Sequence, residues 1–261
     1  MLGVMLMDRF VVVALVTSRL GGFLLTSPFP GDWAPAKARI TLALALGLPV
    51  ALALPSLAGL EVTAGLDPRL ALLAISEIAL GAAIGFAFRL VVGAADYMAA
   101  MVAQVSWLSV PTSMSVDGGG QSQALAQVSS LLAVLVALSI GAHRVVISYL
   151  LASFEALPAG APMMIGAGAQ TLVPLAGRCL DMGMRLAVPV FGISLGVQGA
   201  LALVARVAPS LQIFNVGFAV LVASGLVTFA ASLRAISQQL ARFIGEIPAI
   251  LDELLTLVAG G

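Results

Sequence analysis

Charged residues are scarce in this sequence. Of its 261 residues, 9% are charged and 61% are hydrophobic, and the mean hydropathy is +1.13. Soluble domains carry about 25% charged residues, so this chain has too few of them to cover a water-exposed surface. Acidic and basic residues are equal in number, and the resulting net charge of zero argues against nucleic acid as a partner.

Cysteine and histidine occur once each, as Cys179 and His143. A single cysteine excludes an intrachain disulfide and a Cys-x-x-Cys site. A single histidine cannot hold zinc or iron, because such ions take three or four protein ligands. The sequence therefore predicts no metal site and no cofactor.

One motif of catalytic type is present, since Gly192–Gly196 match G-x-S-x-G around Ser194. That motif works only on a sharp strand-to-helix turn with a histidine base in reach, whereas here it lies inside an apolar run. Small residues spaced four apart are typical of closely packed membrane helices. We predict helix packing at this motif, and no enzyme.

Long apolar runs are what the sequence has in abundance. Most approach the roughly 20 residues that cross a bilayer core, and they lack the period-two alternation of strands, so helices are predicted. The fold class is therefore all-α, a polytopic helical membrane protein. Prolines in the second run predict a kinked or split helix there. The six runs are Phe10–Leu25, Ile40–Leu60, Leu70–Val92, Leu125–Ala142, Leu186–Ala205 and Leu211–Leu233.

A polar ridge interrupts the third run, where Glu77, Gly81, Gly85 and Arg89 recur every four residues. Ionisable side chains inside an apolar helix are costly and need a partner or a cavity. Glu77 and Arg89 are about 18 Å apart along a helix, too far to pair with each other. Each must find a partner on another helix or another chain, and Arg19 in the first run poses the same problem.

A polar stretch, Ser109–Gln127, lies between the third and fourth runs and predicts a flexible loop. Its glycines Gly118, Gly119 and Gly120 supply backbone freedom that other residues lack. Composition alone favours an ordinary surface connection. Basic residues also occur on nearly every loop, so either the orientation signal is weak or the helices do not cross the bilayer in the ordinary way.

Four segments in register resemble the FliR/SctT family, the export-apparatus proteins of flagellar and virulence-type type III secretion. The hallmark segment lies at Ala205–Phe218, ARVAPSLQIFNVGF, although Ser210, Gln212 and Ala219 depart from the family pattern. The other three are RLGGF from Arg19, SPFPG from Ser27 with the following Pro35-Ala36, and the ridge from Glu77 to Arg89. The order and spacing of these segments fit over nearly the whole chain.

The resemblance implies a non-enzymatic subunit of a multi-subunit export gate, built from kinked and tilted helical hairpins. Residues 1–178 would resemble the P-type gate subunit and residues 179–261 the Q-type. Implied partners are P-type and Q-type subunits, the B-type and A-type export components, unfolded secreted proteins in transit and the lipid bilayer. The location would be the bacterial inner membrane, in the flagellar basal body. A flagellar system is favoured by Asn215–Phe218 and Gly141–His143. A virulence-type gate subunit is the alternative, and a stand-alone small-solute transporter is a more distant one.

The resemblance also assigns roles to particular residues. The segment 109–123 would plug the central channel, because it lies between the third and fourth long helices. The candidate plug residues are Ser109, Pro111, Ser113, Met114, Asp117, Gly118, Gly119, Gly120 and Gln121. The candidate residues for packing between subunits are Arg19, Glu77, Gly81, Gly85, Arg89, Pro209, Phe214 and Gly217.

Overall fold

The computed structural model of the chain describes residues 2–29, 34–53, 68–106, 120–161, 165–207 and 213–259. Within these ranges the regular structure is helical, with no strand. The all-α class predicted from the sequence is thus confirmed. The helices are α1 (Leu2–Thr26), α2 (Ala36–Ala53), α3 (Pro68–Val105), α4 (Gly120–Ser139), α5 (Ala142–Ala156), α6 (Ile165–Val207), α7 (Ile213–Ile244) and α8 (Ile247–Ala259).

Among the described residues, five stretches of helix are long and apolar enough to cross a membrane, and a sixth is added if α4 and α5 form one broken span. Backbone polar groups have no water to bond with in a bilayer, so a helix that satisfies them internally is the stable form of such a stretch. The chain is a polytopic helical membrane protein. The five stretches are Arg9–Thr26, Ala36–Ala53, Leu70–Val105, Gly168–Val207 and Ala219–Ala259.

The predicted loop Ser109–Gln127 is too long at its C-terminal end. Helix α4 begins at Gly120, so the candidate plug residues Gly120 and Gln121 lie in its first turn. The segment after Gly120 reads as polar, but glutamine, alanine and leucine are good helix formers. The remaining candidates, from Ser109 to Gly119, lie outside the described residues.

Prolines end fewer helices than the sequence predicts. Pro174 lies inside α6, which begins at Ile165 and continues through it to Val207. Helix α2 likewise continues past Pro49 to Ala53, so it is not split there. Membrane helices tolerate proline because neighbouring groups satisfy the freed carbonyl. The break between α4 and α5 instead falls at Gly141, whose φ of 74° is left-handed and therefore suits glycine.

Contacts divide the chain into two compact units that do not follow chain order. The first unit comprises residues 1–91, 141–176 and 245–261. In it α1 packs on α2, and α8 packs on α5. Helix α8 buries one apolar face, and Tyr149 of α5 donates a hydrogen bond from Oη to Oδ2 of Asp252 at 3.0 Å.

The second unit comprises residues 92–140 and 177–244. Helix α4 packs against α7 in it, and Nε2 of Gln198 in α6 donates to the carbonyl oxygen of Val105 at the end of α3, at 3.1 Å. Gly183 of α6 lies against Tyr97 of α3 so closely that an added Cβ would be 2.7 Å from the ring. The division at 178/179 that the resemblance implies falls inside α6 and stays a prediction.

Candidate functional site

Glycines bring α1 and α3 into backbone contact. A Cβ added at Gly81 would overlap the carbonyl oxygen of Arg19, and one added at Gly85 would lie 2.6 Å from the carbonyl oxygen of Phe23. From the other side, a Cβ at Gly22 would lie 3.0 Å from the backbone nitrogen of Ala82. No side chain larger than hydrogen fits at these positions. Gly81 and Gly85 thus make a close contact inside this chain, and their role in packing between subunits stays a prediction.

An ion pair joins the two helices at this crossing. Nε of Arg19 in α1 donates to Oε2 of Glu77 in α3 at 2.6 Å, and both side chains are 0% exposed. Removing two charges from water costs several kcal/mol per ion, which is offset only by good geometry and further hydrogen bonds. The pair therefore depends on what surrounds it.

The end of α5 completes the coordination of Arg19. Nη1 donates to the carbonyl oxygen of Ser153 at 3.0 Å and to its Oγ at 3.1 Å, and Nη2 donates to the carbonyl oxygen of Leu157 at 2.9 Å. The guanidinium carbon also lies 4.1 Å from the ring centroid of Phe154, a cation–π geometry. A positive charge at a helix C-terminus also complements the helix dipole.

Glu77 uses its second oxygen on the same segment. The backbone N–H of Gly160 donates to Oε1 at 2.9 Å. Gly160 has a φ of 85°, in the region that side chains other than hydrogen disfavour. Each carboxylate oxygen therefore accepts a bond from the protein, one from Arg19 and one from the turn after α5. We refer to Arg19, Glu77, Ser153, Phe154, Leu157 and Gly160 together as the Arg19 cluster.

The Arg19 cluster is suited to holding helices together. Its charges are fully buried and engaged with each other and with the backbone, so neither is positioned to meet a substrate. Among the described residues, no group of three or more His, Cys, Asp and Glu side chains could hold a metal ion. The cluster's chemistry is that of a satisfied buried ion pair.

The other predicted packing residues are not part of this cluster. Arg89 lies exposed further along α3. Gly217 lies in α7, where an added Cβ would be 3.3 Å from a methyl group of Leu201. Phe214 lies in the first turn of α7, and Pro209 falls outside the described residues.

The G-x-S-x-G motif lies within the continuous helix α6, with no strand-to-helix turn. Ser194 is fully buried there, and its Oγ has no hydrogen-bond partner. A nucleophile needs a base within hydrogen-bond reach, and the geometry at Ser194 supplies none. The close helix packing predicted for this motif is not made among the described residues, because nothing lies within 4 Å of a Cβ added at Gly192 or Gly196.

Sequence reasoning missed the contribution of α5. It recognised Arg19 and Glu77 as charges needing partners, and each finds the other on another helix. Ser153, Leu157 and Gly160 were not singled out, because they act mainly through backbone groups. The available signal is weak: Pro158 and Gly160 mark the end of a helix.

The fold and the Arg19 cluster define a helical membrane protein whose helices are joined by a buried ion pair. The chain belongs to the family described as bacterial export proteins, family 1, whose sequence profile matches residues 10–247. The predicted resemblance is thereby confirmed.

Individual relatives agree with the family match. The chain is 29% identical to the flagellar biosynthetic protein FliR of Caulobacter vibrioides over 228 residues, covering 87% of this chain and 90% of that protein. It is 29% identical to FliR of Pectobacterium carotovorum over 184 residues, 70% of each chain. FliR of Aquifex aeolicus is 26% identical over 232 residues, 88% of each chain. The similarity therefore extends over most of the length of this chain and of each relative.

The glycine contact between α1 and α3 generates a first testable prediction. We expect Gly81→Ala to destabilise the protein by about 1–3 kcal/mol, because its methyl group would overlap the α1 backbone. The matched control is Gly93→Ala on the same helix, where nothing lies within 4 Å of an added Cβ. Alanine there favours the helix by up to about 1 kcal/mol.

The measurement is thermal unfolding of both variants, purified in mild detergent from cells that carry the whole export system. A melting temperature that falls for Gly81→Ala and holds or rises for Gly93→Ala agrees with the contact. Equal effects at the two glycines would show that α1 and α3 do not meet at Gly81.

Proposed function

We propose that this protein is a non-enzymatic subunit of the flagellar type III protein export gate. The observation that carries the proposal is the family match over residues 10–247, together with relatives named flagellar biosynthetic protein FliR that align over most of the chain. A set of apolar helices of spanning length supports a membrane-embedded component. The bacterial inner membrane, in the flagellar basal body, is the location that fits this role.

A structural rather than a catalytic role is supported by the chemistry of the buried polar groups. Ser194 lies in mid-helix without a base, and both oxygens of Glu77 accept bonds from the protein. Isolated charges of this kind mark functional sites when they face a cavity, but Arg19 and Glu77 are fully enclosed. Their burial suits a part that must stay rigid while other segments move.

Partner subunits have extensive apolar surface available to them. On α6 the exposed apolar side chains include Leu180, Val188, Leu195 and Leu203. Exposed apolar side chains on a membrane helix contact lipid or another helix. In the proposed gate, residues 1–178 correspond to a P-type subunit and residues 179–261 to a Q-type. P-type and Q-type subunits would be the direct neighbours, with the B-type and A-type components beyond them.

The segment before α4 is the proposed plug. Because α4 begins at Gly120, the proposed plug is residues 109–119 rather than 109–123. Serine, threonine and glycine suit a wet channel, where apolar side chains would adhere to an unfolded protein in transit. The protein-conducting channel would then be lined in part by this chain.

Assembly with partners is the first test of the proposed function. Expressed alone, the chain should be degraded or aggregate, because its exposed apolar faces lack their neighbours. Co-expression with P-type and Q-type subunits should give a complex that survives purification in mild detergent. A stable, monodisperse single chain that transports a small solute would instead support a stand-alone transporter.

The plug generates a separate prediction. Deleting residues 112–117 should make the resting gate leak ions while the complex still assembles, because the segment would occupy the pore without packing between helices. Replacing Gly118 and Gly119 with alanine should lower secretion without leakage, since alanine restricts the φ values available for displacement. The matched control is Gly120→Ala, because Gly120 lies in the first turn of α4 and alanine is favoured in a helix.

Membrane permeability and secretion are measured together in cells that express the full gate. Leakage from the deletion, reduced secretion from the double alanine variant and little change for Gly120→Ala agree with the plug. A deletion that neither leaks nor alters secretion would make the segment a plain connection and leave the family assignment untouched.

A further inference from the structure

The hydrogen bonds of Arg19 are divided unequally between the helices it joins. One runs to Glu77 on α3, whereas three run to Ser153 and Leu157 at the end of α5. The ring of Phe154, also in α5, covers the guanidinium at 4.1 Å. Most of the hydrogen bonds of Arg19 therefore run to the end of α5, although its ion-pair partner is on α3.

The partners of Arg19 are also separated along the chain. Glu77 lies 58 residues from Arg19, while Ser153 lies 134 and Leu157 lies 138 residues away. Helices α1 and α3 are synthesised first and can meet through Gly22, Gly81 and Gly85. At that stage the guanidinium has one bond to the protein and the rest of its donors are unsatisfied in an apolar setting, which is strongly unfavourable.

Glu77 is incomplete at the same stage. Its Oε1 gains a partner only when the N–H of Gly160 arrives. Both charges of the pair thus bond to one short segment, residues 153–160. The ion pair between α1 and α3 is therefore fully bonded only when residues 153–160 are in place.

We propose that the Arg19–Glu77 pair acts as a docking lock for the end of α5. In this account α1 and α3 associate early, and their packing becomes stable only when residues 153–160 close over the two charges. The lock makes the stability of the first helices depend on a segment made much later. It also fixes the turn at Gly160, shortly before α6 begins at Ile165. The inference concerns the fold and does not rest on the proposed export function.

A double-mutant cycle in the full chain tests the lock. The docking change is Ser153→Ala with Phe154→Leu, which removes one acceptor and the ring from Arg19. The second change, Arg19→Met with Glu77→Leu, removes both charges and keeps the site apolar, which proteins often tolerate. Non-additive effects of the two changes measure their coupling directly.

The cellular half-life of the protein is measured for all four chains in the complete export system. We expect the docking change to shorten the half-life several-fold when the charges are present, and by less than about twofold when both charges are absent. Equal losses in the two backgrounds would overturn the proposal, since Ser153 and Phe154 would then contribute packing alone.

A second variant tests the lock even if the chain with Arg19→Met and Glu77→Leu does not fold. Arg19→Lys retains the positive charge opposite Glu77. An ammonium group, however, lacks the planar set of donors with which the guanidinium bonds several acceptors at once. Hydrogen exchange of the backbone amides from Leu157 to Gly160 should rise at least several-fold in the purified complex. The matched control is Arg185→Lys, whose pair with Asp181 is exposed. Unchanged exchange in Arg19→Lys would contradict the lock.

Discussion

A guanidinium removed from water must find acceptors for its donors, and the first compact unit is arranged around that requirement at Arg19. The carboxylate of Glu77 supplies one acceptor, and the end of α5 supplies three more. Burying both charges is worthwhile only when every lone pair and proton nearby is accommodated. Three segments distant in sequence are thus held in one place by a single side chain.

Close packing of α1 against α3 is what allows Arg19 to form the ion pair with Glu77. Arg19 reaches Glu77 because Gly81 admits the α1 backbone at Arg19 itself, and Gly85 admits it one turn further on. A methyl group at either position would separate the helices and lengthen the 2.6 Å contact. The glycine face and the ion pair therefore depend on each other. Exposed apolar faces elsewhere, as on α6, are free for lipid or for other subunits.

Part of this architecture could be predicted from the sequence, and the reason is the strength of the apolar signal. Long runs such as Leu70–Val92 specify membrane helices because backbone groups in a bilayer must be satisfied internally and these runs lack the period-two alternation of strands. Arg19, Glu77, Gly81 and Gly85 stand out because charge and glycine are unusual inside such runs. The partners that complete the site do not stand out, since a backbone carbonyl has no sequence signature.

The ends of the helices were harder to predict than the presence of the helices. The loop before α4 was predicted too long because its glutamines and serines are polar, while the helix-forming capacity of its glutamines, alanines and leucine favours the helix beyond Gly120. The prolines of the second run predicted a kinked or split helix, yet α2 is not split at Pro49. In both cases the local residue types suggested an interruption, but the chain is helical there.

The central claim is that Arg19 is held jointly by Glu77 and by the carbonyl groups at the end of α5. The most direct test exchanges the two charges, Arg19→Glu with Glu77→Arg, and compares the melting temperature with those of the two single variants. A carboxylate at position 19 would face the carbonyl oxygens of Ser153 and Leu157, so the exchange should leave the protein as unstable as either single variant. The matched exchange at Arg185 and Asp181, which form an exposed pair, should cost less than about 1 kcal/mol. Recovery of near-wild-type stability by the buried exchange would contradict the account.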